Sequence, residues 1–193
     1  MTKRKFTIKD GRFFAECSGD YNPIHVDPII SRRYMFGQPI VHGLHVVLWA
    51  LDVWFNHKKD YVKILSLNVS FPKAVVLEKT TVYKLTKEDN NQSVIEVSQN
   101  NVVCAKIKLK VTYSKHDSLE IIDSSIINDF PPKEGAKDLT FEELKNKTGV
   151  LDQYLNENEF SRVFPNVFKF INKNHIATLL SSTRLIGMHC PGL

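Results

Sequence analysis

IVHGLHVVLWALDVWF, Ile40 to Phe55, is the most apolar run of the chain. It is shorter than the roughly 20 residues that a membrane span needs, and His42, His45 and Asp52 interrupt it. Pro39 fits just inside a helix start. Apolar residues cover nearly the whole helical circumference, so the helix must be enclosed on most sides. One such helix needs a sheet wrapped around it.

The sheet follows in sequence. KILSLNVSF alternates, with Leu65, Leu67, Val69 and Phe71 on one side and Ser66, Asn68 and Ser70 on the other. TTVYKLT (Thr80 to Thr86) and SVIEVS (Ser93 to Ser98) fit further strands. VVCAKIKLKVTY directs Val103, Ala105, Ile107, Leu109, Val111 and Tyr113 inward and leaves Lys106, Lys108 and Lys110 on an outer face. EDNNQ and QNN carry hairpin turn chemistry. Upstream, a short strand fits Phe6 to Ile8, GRFFAECSG fits a short helix, and DPIISRRYMFG fits a further turn or two that stops near Gly37. The order of small strand, buried helix and antiparallel meander predicts an α+β fold with a sheet curled around one central helix.

From about Lys115 the character changes. Residues 115–139, with Pro131, Pro132 and Gly135, read as a linker between a first domain at 1–114 and a segment at 140–193. That last segment offers two or three helices rich in Phe, Leu and Ile and no alternating strand. It needs a surface to pack on.

Composition narrows the function classes. Hydrophobic residues at 42% and charged residues at 24% describe an ordinary globular protein of 193 residues. The net charge of +5 is spread along the chain without a basic and aromatic platform, which argues against nucleic acid and suits an anionic cofactor or an acidic carrier protein. Cys17, Cys104 and Cys190 form no CxxC pair or disulfide framework, so reduced thiols in a cytoplasmic protein are expected. MTKRKFTIKDGR lacks the apolar stretch of a secretory signal. Trp49 and Trp54 read as core, Arg32 and Arg33 as a solvated face. Cys17 has no adjacent His or Asn that would mark a nucleophile.

The chemistry lies in SGDYNPIHVD, Ser18 to Asp27. Asn22 before Pro23 is pushed out of helical geometry, so this segment is a loop. Across that loop Asp20 and His25 can converge on one small volume and supply two groups for proton transfer. Asn22 can bond either of them or a water. The helix beginning near Pro39 adds unsatisfied N–H groups and its positive dipole end. Gly43 in its first turn can offer an N–H to a developing oxyanion. This set suits proton abstraction beside a thioester carbonyl. The same three polar residues also suit a purely structural turn. His25, His42 and His45 do not have a known metal-ligand spacing, and no metal is expected.

FFAECSGDYNPIHVDPIISRRYMFGQPIVHGLHV, Phe13 to Val46, closely resembles the signature of the MaoC-like hydratase/dehydratase family, the (R)-specific enoyl-CoA hydratase type. The likeness covers the Gly-Asp-x-Asn-Pro-x-His core, the Phe-Gly before the helix and the His-Gly at its start, and extends over roughly Lys3 to Tyr113. The resemblance implies a hot-dog fold, with Asp20 and His25 as the acid/base pair. It implies Asn22 as the residue orienting them, Gly43 as main-chain donor to the thioester oxygen, and His42 near the substrate. It implies a hydro-lyase that reversibly hydrates trans-2-enoyl thioesters or dehydrates (R)-3-hydroxyacyl thioesters of coenzyme A or an acyl carrier protein, in fatty acid metabolism. No metal or redox cofactor is needed. Hot-dog units usually pair side by side, so a homodimer is expected, with the C-terminal segment lying against the first unit or across a second chain. A non-catalytic acyl-thioester binding or scaffold protein is the second reading, and a hot-dog thioesterase the third. Two departures stand out. Glu78-Lys79 occupies a turn where the family commonly has Gly, and FPNVFKFINKNHIATLLSSTRLIGMHCPGL resembles the truncated start of a second hot-dog unit, with GMHCPGL at a helix start and without the acid/base core.

Overall fold

The chain opens with a four-residue strand, β1 (Thr2–Lys5), which a reciprocal cap converts into α1 (Ile8–Ser18). Asp10 N donates to Thr7 Oγ1, and Thr7 N donates to the Asp10 carboxylate at 2.7 Å. The cap explains why the strand lies before Phe6 rather than at Phe6 to Ile8, and Phe6 itself turns into the core. The computed structural model describes residues 2–58, 61–114, 127–135, 137, 139–145 and 148–190. Of the expected linker, 115–126, 136 and 138 lie outside the described residues.

Two one-turn helices follow, α2 (Pro23–Val26) and α3 (Pro28–Ser31), and then the buried helix α4 (Gly43–Phe55). This helix starts at Gly43, not near Pro39. Ile40 and Val41 are held in extended backbone, because Ile40 N donates to Ile24 O and Val41 N to Val75 O. The sheet strands are β2 (Tyr61–Ser70), β3 (Thr80–Glu88), β4 (Gln92–Gln99) and β5 (Val102–Ser114). All pairings are antiparallel in the order β1-β3-β4-β5-β2, so β2 crosses over to pair with β5 rather than with its successor in sequence. Asn100 and Asn101 both take left-handed φ, 50° and 63°, at the β4–β5 turn, as a tight hairpin requires.

The curled sheet holds α4 against its concave face, with Val46 to Leu51, Trp54 and Phe55 in one core with Ile95, Val97, Ala105, Ile107 and Leu109. This is the hot-dog arrangement, α+β in class. Three side-chain assignments need correction. A register shift between Ile64 and Ser66 turns Leu65 outward, 60% exposed, while Leu67 and Val69 keep to the core side. Phe71 and Tyr113, beyond or at the strand ends, are exposed as well.

After the sheet come a two-residue parallel pair, β6 (Ile127–Asn128) with β7 (Gln153–Tyr154), and four helices, α5 (Phe141–Leu144), α6 (Glu157–Val163), α7 (Pro165–Phe170) and α8 (Lys173–His189). Of these, α7 packs against α4 and α8 against α1. Phe160, Phe164, Val167, Ile176, Ala177 and Leu180 enter the same core cluster as α4. Asp52, the one charge within α4, faces this segment. Its carboxylate accepts from Asn166 N at 2.8 Å and Val167 N at 3.0 Å, so it caps α7. Gly187 and Met188 fall in the last turn of α8, not at a helix start. No helix among the described residues is long and apolar enough to cross a membrane.

Candidate functional site

The local sequence builds the polar loop by a chain of caps. Helix α1 ends on Gly19, whose left-handed φ of 76° lets its N–H return to Ala15 O at 2.8 Å. Ser18 Oγ donates to Phe14 O and accepts from Asp20 N, fixing the backbone that carries Asp20. Asn22 caps α2, its Oδ1 accepting from Ile24 N, with Pro23 in the first helical position. The Asn22 main-chain N–H donates to Asp20 Oδ1 at 3.2 Å, while its side-chain amide donates to Gly187 O at 3.1 Å. The Asn22 side chain thus braces the loop against α8.

The structure brings Asp20, His25 and His42 together, with one ligand atom from each within 4.8 Å of the others. All three are buried, Asp20 at 3% exposure and His25 at 8%. His25 Nδ1 lies 3.0 Å from Ile40 O. A carbonyl only accepts, so Nδ1 carries the proton and Nε2 keeps its lone pair. By the same argument His42 Nε2, 2.9 Å from Asp20 O, is protonated, and His42 Nδ1 is left buried without a partner. The His25 and His42 rings stack with centroids 3.9 Å apart and planes at 27°.

Burial sets the charge states. It raises the Asp20 carboxyl to about 7, against the Asn22 N–H and the Thr183 hydroxyl, which both favour the anion. Burial lowers His25 to about 4, only partly countered by its bond to Ile40 O. His42 falls well below the ordinary histidine range through burial and then through its His25 neighbour. Near neutral pH the site therefore holds neutral imidazoles beside a carboxyl that keeps its proton far above the ordinary carboxylate range.

Gly43 begins α4, and His42 in the N-cap position makes no side-chain capping bond. A Cβ at position 43 would lie 3.1 Å from Phe71 Cζ, so the aromatic ring lies close against the helix start. His45 is fully buried, stacked on Phe14 and edge-on to Phe6, away from these bonds. The turn where Gly is common does need a left-handed backbone, since Glu78 has φ 62°. Sequence reading missed the contribution of α8. The Thr183 hydroxyl favours the ionised Asp20 carboxyl, Gly187 lies against that carboxylate, and Met188 Sδ accepts from Tyr21 N at 3.1 Å. A separation of more than 160 residues leaves no local signal for such contacts.

A family model described as MaoC like domain matches residues 2–110. Among curated proteins, the peroxisomal hydratase-dehydrogenase-epimerase of Saccharomyces cerevisiae is 30% identical over 111 residues, 54% of this chain and 12% of that protein. The fatty acid synthase beta subunit stcK of Emericella nidulans is 61% identical over 33 residues, 17% of this chain and 2% of that protein. The chain thus spans about an eighth or less of the length of these curated relatives. Among solved structures, the (R)-hydratase from A. caviae involved in PHA biosynthesis superposes with a TM-score of 0.47 at 22% identity, covering 58% of this chain and 92% of that one. The R-hydratase PhaJ1 from Pseudomonas aeruginosa gives 0.48 at 18% identity over 60% and 79%. With more than half of its length matched by the family model, the chain belongs to the MaoC-like domain family.

Proposed function

We propose that this chain is a hydro-lyase that adds water to trans-2-enoyl thioesters and removes it from (R)-3-hydroxyacyl thioesters, carried by coenzyme A or an acyl carrier protein. The observation that carries the reading is the pairing of a neutral His25, with Nε2 free to accept, and a protonatable Asp20 beside the start of α4. In hydration, His25 Nε2 takes a proton as the water oxygen bonds to the β-carbon. The electron pair of the double bond moves onto the thioester oxygen, where the Gly43 N–H meets the charge. Asp20 then gives its proton to the α-carbon, and the thioester carbonyl re-forms. Dehydration runs the same path backwards, and neither direction needs a metal or redox group. His42 supports the pair through its bond to Asp20 O, and Asn22 through the loop.

The test is the loss of enoyl-thioester absorbance with crotonyl-CoA and longer enoyl-CoA substrates. Asp20→Asn and His25→Ala should each lower turnover by about 10² to 10⁴ with folding intact. Wild-type rates in either variant would remove the assignment. The burial of both groups favours a second reading, a non-catalytic acyl-thioester binder. That reading gains if the unaltered protein binds acyl-CoA and shows no turnover. The outer edge of β2, ten residues long, suits pairing with a second copy in a homodimer, which light scattering would detect.

A further inference from the structure

We propose that α8 belongs to the acid/base site, with Thr183 a positioning residue for Asp20 and Gly187 the position whose missing side chain lets the helix reach the carboxylate. The inference rests on the acid/base reading above and extends it to a segment far along the chain. Three observations carry it. Thr183 stands one helical turn before Gly187 on the same face of α8, and its hydroxyl favours the ionised form of the Asp20 carboxyl. Gly187 O accepts from Asn22 Nδ2 at 3.1 Å. A Cβ built at Gly187 would lie 2.2 Å from Asp20 Oδ1 and 2.4 Å from Oδ2, a distance no side chain tolerates.

The helix is seated independently of Asp20, so it can act as a fixed reference for it. Ile176, Ala177 and Leu180 are fully buried on its inner face, and Ser181 Oγ donates to Asp152 O at 3.0 Å. Its last turn is held by Lys137 N, which donates to Met188 O at 2.7 Å, and by the Arg184–Glu134 ion pair at 3.2 Å. Pro131 closes the other side of Gly19, within 3 Å of where a Cβ there would stand. The charged and titratable groups around Asp20 are therefore few. His25 comes from α2 and His42 from the start of α4. Arg184 comes from α8, with Cδ against Gly19 and its guanidinium on Glu134. Lys133 lies over the Tyr21 ring. The hydroxyl of Thr183 and the N–H of Asn22 both stabilise the ionised carboxylate. Removing one of them shifts Asp20 toward its protonated form.

The experiment compares pH profiles of crotonyl-CoA hydration for the unaltered protein, Thr183→Val, Thr183→Ser and Gly187→Ala, with Asp20→Asn as reference. Hydration needs Asp20 protonated, so the rate falls as pH rises through its titration. In Thr183→Val, of nearly the same shape, this alkaline limb should move up by about one pH unit. Thr183→Ser keeps the hydroxyl and should restore its place. Gly187→Ala should lower kcat tenfold or more, with KM changed less. A folded Thr183→Val with an unmoved alkaline limb overturns the proposal. So does a faster Gly187→Ala, which would make α8 a plug over the site. If Asp20→Asn is inactive while Thr183→Val keeps its profile, only this inference fails; if Asp20→Asn stays active, the acid/base reading fails with it.

Discussion

His45 offers a direct measurement of what burial does to this core. The ring is fully buried, both nitrogens lack a partner, and burial lowers it to about 3 from an ordinary 6.5. A histidine held below its unfolded value contributes stability that is complete above pH 6.5 and is lost as the pH falls. The unfolded chain then binds a proton that the folded one refuses. Between pH 7.5 and 5 this loss is about 2 kcal/mol for each histidine that stays neutral in the fold. His25, His42 and His45 all behave so. Asp20 acts in the opposite sense. Its raised value makes the folded state bind a proton below about pH 7 while the unfolded carboxyl stays ionised down to 3.8. It returns about 2–3 kcal/mol over the same interval. The net loss is about 3–4 kcal/mol, a large fraction of a typical domain's stability. His45→Leu, close to imidazole in volume, removes two unpartnered polar atoms and should be at least as stable as the unaltered protein at pH 7.5. Its loss on acidification should be about half as large. Urea unfolding at both pH values measures this, and an unchanged acid loss in His45→Leu would refute a neutral buried imidazole at position 45.

Four further outcomes are expected. Crotonyl-CoA hydration should follow a bell with limbs near pH 4 and 7, from His25 losing its neutral form and Asp20 its proton; a profile flat across pH 7 would remove Asp20 as the acid. Gly43→Ala should lower kcat more than it raises KM, and Phe71→Leu, which relieves the 3.1 Å crowding, should not rescue it if the N–H orientation is what is lost. Asp52→Leu strips α7 of its cap and should lower stability by about 2–3 kcal/mol, read as a lower urea midpoint. A chain ending at Glu159 discards Phe160, Phe164 and Val167 from the core, each worth several kcal/mol, and should fail to fold; a soluble, cooperative truncated form would show that the C-terminal helices are dispensable.

The legible part of this protein is the part with short-range signals. Period-two alternation placed the strands, and the all-round apolar face of 40–55 demanded a sheet around it, although the C-terminal helices cover part of that face as well. The turn at Asn100 and Asn101 was legible too, whereas the expected loop at Ser18 to Asp27 contains the one-turn helix α2, which Asn22 caps and Pro23 begins. What failed was register and reach. Leu65 alternates correctly in sequence, yet one extra residue in β2 against β5 turns it outward. The start of α4 moved from Pro39 to Gly43 because Ile40 and Val41 spend their N–H groups on distant carbonyls. The left-handed turn was signalled only by a family likeness, and Glu78 meets it without glycine. Its N–H bonds Phe6 O and its carboxylate pairs with Lys5, both of which hold a backbone angle that a side chain otherwise disfavours.

The polar residues that interrupt the apolar helix explain why fold and site cannot be separated here. Asp52 is tolerated because α7 brings N–H groups to it. His42 is tolerated because Asp20 O accepts from it, and that carbonyl is presented by a loop which Gly187 and Met188 brace from α8. A sheet closed around α4 alone would leave the carboxylate of Asp52 facing solvent and the Asp20 loop open on its α8 side. With more water around it, Asp20 would return toward an ordinary carboxylate range, fully ionised at neutral pH and unable to give up a proton. Under the proposed acid/base mechanism the C-terminal helices act on Asp20 through dielectric as much as through contact, and the pH profile, rather than the rate alone, would report on them.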